Sequence, residues 1–141
     1  MVRIYLIDTC IWMDFYNNRK GIFGKPIGDY ATRLFMKILN RKDKILFSES
    51  LIVELRKTYN KEQIKEILDL LLMNDILIRV DIKKEEYEEA RHLSKQRNLP
   101  FIDCLNAVQA RNHEAILVSR DKHFFEDLKD IVSAKKPEWI S

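Results

Sequence analysis

Short apolar runs alternate with longer amphipathic segments along this chain, and each apolar run ends at polar residues. Residues 2–7 are nearly continuously apolar and stop at Asp8, a pattern typical of a strand buried on both faces. Three further apolar runs, at residues 44–47, 76–80 and 115–119, are also strand candidates. The pattern predicts a sheet of four to five strands.

Between these runs, apolar residues recur at helical spacing, and polar residues mark where helices begin. Asp29 is a candidate N-cap, Asn60 and Gln63 resemble a capping box, and Ser48 or Ser50 can start a helix. Residues 17–28, which contain all three glycines, predict an irregular segment. The predicted helices are residues 10–15, 30–39, a helix beginning at Ser48 or Ser50, and residues 61–73, 83–98, 101–112 and 122–129.

Strands separated by helices require crossover connections, which predict a mainly parallel sheet covered by helices on both faces. The 141 residues and a hydrophobic content of 46% suffice for one core, and no linker-like tract divides them. We therefore expect one α/β domain over residues 1–141. The absence of a signal-peptide pattern or a membrane-span pattern predicts a cytoplasmic protein with no membrane association.

Charge and cysteine content narrow the function only a little. Lys and Arg number 25 and Asp and Glu number 22, and the resulting net charge of +3 is too small to indicate a polyanionic partner by itself. Cys10 and Cys104 stand alone, without the paired spacing of a zinc knuckle, and are expected to be buried thiols.

Two acids follow predicted strands directly, and ligands of parallel α/β sheets bind beyond the carboxyl ends of the strands. This rule places Asp8 and Asp121 at the same edge of the sheet. Taken singly, Asp8 and Asp121 are each better explained as a helix cap, and Asp103 also suits a cap near Pro100. Glu54 is harder to explain structurally, because it lies between Val53 and Leu55 in a mainly apolar stretch.

Four segments, in this order, resemble the motifs of PIN-domain nucleases: YLIDTCIWMDF, SLIVELRK, LPFIDCLNAVQA and AILVSRDKHF. A closing KPEWI is similar to the Pro-Glu-aromatic tail of many members. Each motif is weak alone, but four in order over nearly the whole chain are fairly specific. The resemblance implies a Rossmann-like α/β/α fold, and within the family it is strongest to the small VapC-type toxins of toxin–antitoxin pairs.

The resemblance assigns the acidic metal site to Asp8, Glu54, Asp103 and Asp121. It also implies that Thr9 and Ser119 flank this site, and Asn106, one turn after Asp103, shares its helix face. For Asn106, packing or solvent exposure is an equally good explanation.

The chain departs from the family pattern at two positions. Cys10 stands where Asn or Ser is common, which puts a supporting hydrogen bond in doubt. His123 stands where a further Asp often follows, which removes one negative charge and puts a second metal ion in doubt. For His123 a structural role is slightly favoured.

Carboxylates without His or Cys ligands suit Mg²⁺ or Mn²⁺, which prefer oxygen. The resemblance implies metal-dependent hydrolysis of RNA that leaves a 5′-phosphate and a 3′-hydroxyl, with a small antitoxin protein as partner and a homodimer as the assembly. The apolar faces of the helices predicted at residues 30–39 and 61–73 are candidate dimer surfaces. Arg120 and Lys122 flank Asp121 and can contact phosphates, although solvated surface charge is the default for both.

Three alternatives remain. One is a PIN nuclease of RNA processing that is not a toxin, and another is a PIN-fold module that binds RNA or protein with weak or no catalysis. The third is a receiver domain, which also gathers acids around Mg²⁺, but its phospho-accepting Asp and its Lys after the last strand have no counterpart here.

Overall fold

The computed structural model describes residues 1–20 and 26–141. Five strands form one sheet in the order β3-β2-β1-β4-β5, and all four pairings are parallel. The strands are β1 (Ile4–Ile7), β2 (Lys44–Phe47), β3 (Leu77–Arg79), β4 (Ile116–Val118) and β5 (Ala134–Lys135). The predicted parallel sheet is confirmed, with β1 at its centre.

Helices cover both faces of the sheet, as predicted. The helices are α1 (Thr9–Arg19), α2 (Ile27–Arg41), α3 (Glu49–Arg56), α4 (Lys61–Leu72), α5 (Lys84–Arg97), α6 (Phe101–Asn112) and α7 (Lys122–Phe125), followed by a 3₁₀ turn at Pro137–Trp139. Within residues 1–20 and 26–141, none of these helices has the length and apolarity needed to cross a bilayer.

Alternate residues of β1 point into two different cores, as the two-residue period of a strand requires. Tyr5 and Ile7 pack on one face with helices α1 to α4, while Leu6 packs on the other with α5, α6 and α7. This explains why β1 is almost uniformly apolar.

The capping signals at two helices are confirmed. The Asn60 side chain accepts a 2.8 Å hydrogen bond from Gln63 N, and the Gln63 side chain accepts one of 3.0 Å from Asn60 N. Ser48 caps α3 by accepting a bond of 3.3 Å from Ser50 N. These contacts are local in sequence, so they can be predicted without the fold.

The prediction at the start of α2 is wrong in two respects. Helix α1 extends to Arg19 and α2 begins at Ile27, so residues 17–28 are largely helical where the structure describes them; residues 21–25 lie outside the described part. Asn18 donates a 2.8 Å hydrogen bond to the Thr32 hydroxyl, a contact between helices that outweighs the weak helix propensity of Asn. Pro26, not Asp29, is the N-cap residue.

Helix α7 ends at Phe125, four residues before the predicted end. Leu128 N donates to the His123 carbonyl across five residues, which breaks the α-helical pattern, and the Leu128 side chain is fully buried. Strand β5, which pairs with β4 through only two residues, is too short to produce a periodic signal.

We expect Phe35→Ala to lower the free energy of unfolding by about 3–5 kcal/mol, because Phe35 is fully buried between the rings of Trp12 and Phe15. Urea denaturation measures the change. Met36→Ala is the matched control, since Met36 is the next residue of α2 and is 38% exposed; it should change stability by less than about 0.5 kcal/mol. Equal losses in the two variants would contradict this packing.

Candidate active site

Asp8 and Asp121 lie at the same edge of the sheet, as the strand-end rule predicts. Asp8 follows β1 and Asp121 follows β4, and these strands are parallel neighbours with Ile7 paired to Val118. Asp121 also accepts a 3.0 Å hydrogen bond from His123 N and so caps α7. The capping role and a role in the site are therefore compatible.

Asp8 is a nearly buried carboxylate with three donors around it. Its side chain is 8% exposed and accepts hydrogen bonds from the Ser119 hydroxyl at 2.7 Å and from Thr9 N at 2.9 Å. The Cys10 thiol donates a weaker bond to it over 3.5 Å. Burial raises the pKa of Asp8 above its ordinary value, although these donors oppose the shift.

Ser119 connects the two acids. Its hydroxyl donates to Asp8 and accepts a 3.0 Å hydrogen bond from Asp121 N, and the residue is fully buried. The flanking role that the sequence predicted for Ser119 thus has a geometric basis: it fixes the backbone of Asp121 relative to the side chain of Asp8.

Asp103, from the first turn of α6, meets Asp121 and His123 from the start of α7. His123 Nδ1 lies 2.9 Å from Asp103 Oδ2 and 3.2 Å from Asp121 Oδ1. One potential ligand atom from each of the three residues lies within 4.8 Å of the other two. We call Asp8, Asp103, Asp121 and His123 the acidic site.

The carboxylates of the acidic site disfavour each other's charge. The pKa of Asp103 is raised to about 6, chiefly by burial and also by the charges of Asp8 and Asp121, while its hydrogen bond with His123 opposes the shift. The pKa of His123 is raised as well, chiefly because its hydrogen bond with Asp103 favours the protonated imidazole. Such a site gains stability from a bound cation.

The Cys10 thiol partly supplies the hydrogen bond that an Asn or Ser at this position was expected to make. Besides its bond to Asp8, its sulfur lies 3.9 Å from the Ser119 hydroxyl. Burial raises the pKa of the thiol to about 12, so Cys10 stays protonated and acts as a weak donor. Cys104 is a free, buried cysteine, as expected, whereas Cys10 is only partly buried.

Glu54 does not join the three-residue ligand group. Its carboxylate lies 3.1 Å from Lys57 Nζ, and its side chain is 23% exposed. Glu54 stands one turn after Ser50, whose side chain lines a small cavity together with Thr9 and Asn106. The start of helix α3 therefore lies near Thr9, the residue after Asp8, and Asn106 is a buried part of the cavity wall.

The Arg120 side chain contacts Glu138 and Tyr30. Its guanidinium forms a two-pronged pair with Glu138, at 2.7 and 3.0 Å, and lies over the ring of Tyr30. It thus ties the C-terminal turn to the segment that carries Asp121, and it is not the exposed charge that the sequence suggested. Lys122 remains exposed.

His123 belongs to the acidic site, whereas the sequence slightly favoured a structural role for it. Asp121 and His123 are two apart at a helix start, but Asp103 is 18 residues before Asp121, and only the packing of α6 against α7 brings it to the imidazole. The signal in the sequence was that His123 stands where PIN-domain nucleases often have a further Asp.

The donor set fits a divalent ion. Carboxylate oxygens and one imidazole nitrogen converge, and the charges of Asp8 and Asp121 add to the burial that raises the pKa of Asp103. The Cys10 thiol keeps its proton and does not compete as a ligand. The residues that would hold the ion are Asp103, Asp121 and His123, with Asp8 beside them.

Comparison with known structures finds the same fold in several proteins. "VapBC2 from Rickettsia felis bound to a DNA fragment from their promoter" contains a chain that is 24% identical with a TM-score of 0.65, covering 94% of this chain and 98% of that one. FitAcB from Neisseria gonorrhoeae gives 18% identity, a TM-score of 0.62, and coverage of 97% and 99%. A toxin-antitoxin complex from Klebsiella pneumoniae gives 17% identity, a TM-score of 0.60, and coverage of 94% of this chain and 97% of that one.

No curated protein matches the sequence. The family profile described as "PIN domain" matches residues 5–130, a range that includes all four predicted acids and nearly every strand and helix. The receiver-domain alternative is thereby excluded. The chain belongs to the PIN-domain family, whose members are nucleases that generally use divalent metals.

Proposed function

We propose that this protein is a metal-dependent endoribonuclease, the toxin of a toxin–antitoxin pair. The observation that carries the proposal is the convergence of Asp103, Asp121 and His123 beside Asp8, at the carboxyl edge of the sheet of a PIN domain. Cytoplasmic RNA is the proposed substrate.

Asp8, Glu54, Asp103 and Asp121 are the proposed ligands of Mg²⁺ or Mn²⁺. A bound ion would supply a water of lowered pKa and would offset the charge that builds up on the phosphate. Ser119 and Thr9 hold Asp8 in place, through the hydroxyl of one and the backbone N–H of the other. For Glu54 to reach the ion, its side chain has to leave Lys57, and its partly exposed position on α3 permits this.

RNA approaches through its phosphates, and the exposed Lys122 next to Asp121 is suited to contact one of them. By family resemblance, cleavage leaves a 5′-phosphate and a 3′-hydroxyl. Asn106 lies in the wall of the neighbouring cavity, where its amide can orient the water or the substrate.

The toxin assignment draws support from the similar structures, which are described as VapBC2 bound to a DNA fragment from their promoter, a toxin-antitoxin complex, and FitAcB. A PIN nuclease of RNA processing shares the same site, and a binding module shares the fold. A test for RNA cleavage distinguishes the binding module from the two nucleases. Growth arrest on expression, relieved by the product of a neighbouring gene, distinguishes the toxin from the RNA-processing enzyme.

We expect RNA cleavage to require a divalent ion and to stop with a chelator. Asp8→Asn, Asp103→Asn and Asp121→Asn should each lower turnover by at least about 100-fold, since even residues that only orient metal ligands are worth about 10–100-fold. Cleavage of mixed RNA in Mn²⁺ and in Mg²⁺ measures the effect.

The matched control is Asp75→Asn, which lies before β3 at the opposite edge of the sheet and has a left-handed backbone that Asn adopts as readily as Asp. The raised pKa of Asp103 means that its ionised form costs folding free energy at neutral pH. In chelator, Asp103→Asn should therefore melt no lower than the wild type. Full cleavage by Asp8→Asn in the presence of chelator would overturn the proposed function.

We also propose a homodimer, but not through the helix faces that the sequence suggested. The apolar stripes of α2 and α4 are buried in the protein's own core, because both helices pack on the sheet. An apolar depression of about 180 Å³ between α3, α5 and α6, edged by the exposed Val53 and Tyr87, is the better candidate.

Light scattering at tens of micromolar should report a dimer, and Val53→Lys should shift it to a monomer, because a charge at the rim of an apolar contact is desolvated without a partner. Leu72→Lys, at a similarly exposed residue of α4, is the control and should leave the dimer intact. A monomeric wild type would contradict the dimer, and a dimeric Val53→Lys variant would exclude this surface.

An antitoxin is proposed to inhibit the enzyme by placing an arginine in the acidic site, since a planar guanidinium can bridge two carboxylates. Changing that arginine to alanine should weaken binding by about 2 kcal/mol or more, roughly 30-fold in Kd. Calorimetry with the product of the neighbouring gene measures this, and Asp8→Asn and Asp121→Asn should weaken binding as well. Unchanged affinity in all three variants would show that inhibition occurs elsewhere on the surface.

A further inference from the structure

The imidazole of His123 lies close to two carboxylates of the acidic site. Its Nδ1 lies 2.9 Å from Asp103 Oδ2 and 3.2 Å from Asp121 Oδ1, within hydrogen-bonding distance of both. The side chain is 25% exposed, so it stands at the mouth of the site, where an ion can reach it.

The position of His123 is set by the backbone at the start of α7. His123 N donates to Asp121 Oδ1, the same oxygen that lies near its own ring nitrogen. Asp121 N is in turn held by the Ser119 hydroxyl. The ring is therefore tied to its neighbours in the acidic site through main-chain contacts.

A ring nitrogen placed between two carboxylates has two possible uses. Carrying a proton, Nδ1 is a donor to the oxygens; without that proton, its lone pair points to the same small region as the oxygen lone pairs. A cation that took the place of the proton would therefore meet one nitrogen and two oxygens at once.

We propose that His123 Nδ1 is a ligand of the divalent ion, and that this nitrogen makes the site favour Mn²⁺ over Mg²⁺ more strongly than an all-carboxylate site would. The proposal rests on the proposed metal dependence. Its physical basis is that Mg²⁺ strongly prefers oxygen ligands, whereas first-row transition ions accept imidazole as well as carboxylate.

Neither a cysteine thiolate nor another histidine explains a preference for Mn²⁺ over Mg²⁺ at this site. The Cys10 thiol lies beside Asp8 and keeps its proton, and burial likewise raises the pKa of the Cys104 thiol to about 11. Of the three histidines in the chain, only His123 belongs to the group of converging ligand atoms within the described residues.

Calorimetric titration of the whole protein with MnCl₂ and with MgCl₂ tests the proposal, with the ratio of the two Kd values as the readout. His123→Asp replaces the nitrogen with oxygen, and this should lower the preference for Mn²⁺ by at least about tenfold while Mg²⁺ binding is kept. His92→Asp makes the same chemical change at an exposed histidine of α5 and should leave the ratio unaltered.

Pulsed electron paramagnetic resonance provides a test that does not depend on a variant folding. Wild-type protein labelled with ¹⁵N-histidine and loaded with Mn²⁺ should show a coupling from a directly bound ¹⁵N, and His123→Asp should lose it while His92→Asp retains it. A bound Mn²⁺ without any nitrogen coupling would overturn the proposal.

The possible failures are distinguishable. If the wild type binds neither ion, the proposed metal dependence falls together with this inference. If both ions bind but the Kd ratio is the same in the wild type and His123→Asp, the inference alone is wrong and a carboxylate-only site stands. If metal binding behaves as expected but RNA is not cleaved, the proposed function is wrong and the ligand assignment stands.

Discussion

The Ser119 hydroxyl donates a 2.7 Å hydrogen bond to the Asp8 carboxylate, and this bond joins the ends of two neighbouring strands. Asp8 is almost buried at the end of the central strand, and a buried carboxylate without donors is strongly unfavourable. Because the same hydroxyl accepts from Asp121 N, the contact that satisfies Asp8 also positions Asp121. The folding requirement and the geometry of the acidic site are therefore met by one side chain.

The acidic site gathers like charges, and the surrounding contacts do not relieve them fully. Arg120, the guanidinium next in sequence to Asp121, is paired with Glu138 and lies over Tyr30. The hydrogen bond from His123 favours the charged form of Asp103, but burial and the charges of Asp8 and Asp121 still raise its pKa to about 6. A site arranged this way attracts cations, whether a metal ion or the basic side chain of a partner.

Much of the architecture was predictable because its causes are local or periodic. The capping box at Asn60 and the cap at Ser48 depend on residues within a few positions of each other. The parallel sheet follows from the alternation of apolar strand runs with amphipathic helices. The boundaries of α1, α2 and α7 were not predictable, since they depend on contacts such as that of Asn18 with Thr32. The apolar stripes of α2 and α4 were predicted correctly as stripes, but their partner is the sheet and not a second subunit.

The sequence by itself determined the order of the motifs, the alternation of strands and helices, and the placement of Asp8 and Asp121 at one edge, since strand direction alone decides that edge. Only the tertiary structure decided which acids meet. It brings Asp103 of α6 to His123 of α7 and leaves Glu54 beside Lys57. The physical reason is that these pairings depend on how helices pack across the sheet, and side-chain distances of a few ångströms are set by that packing and not by spacing along the chain.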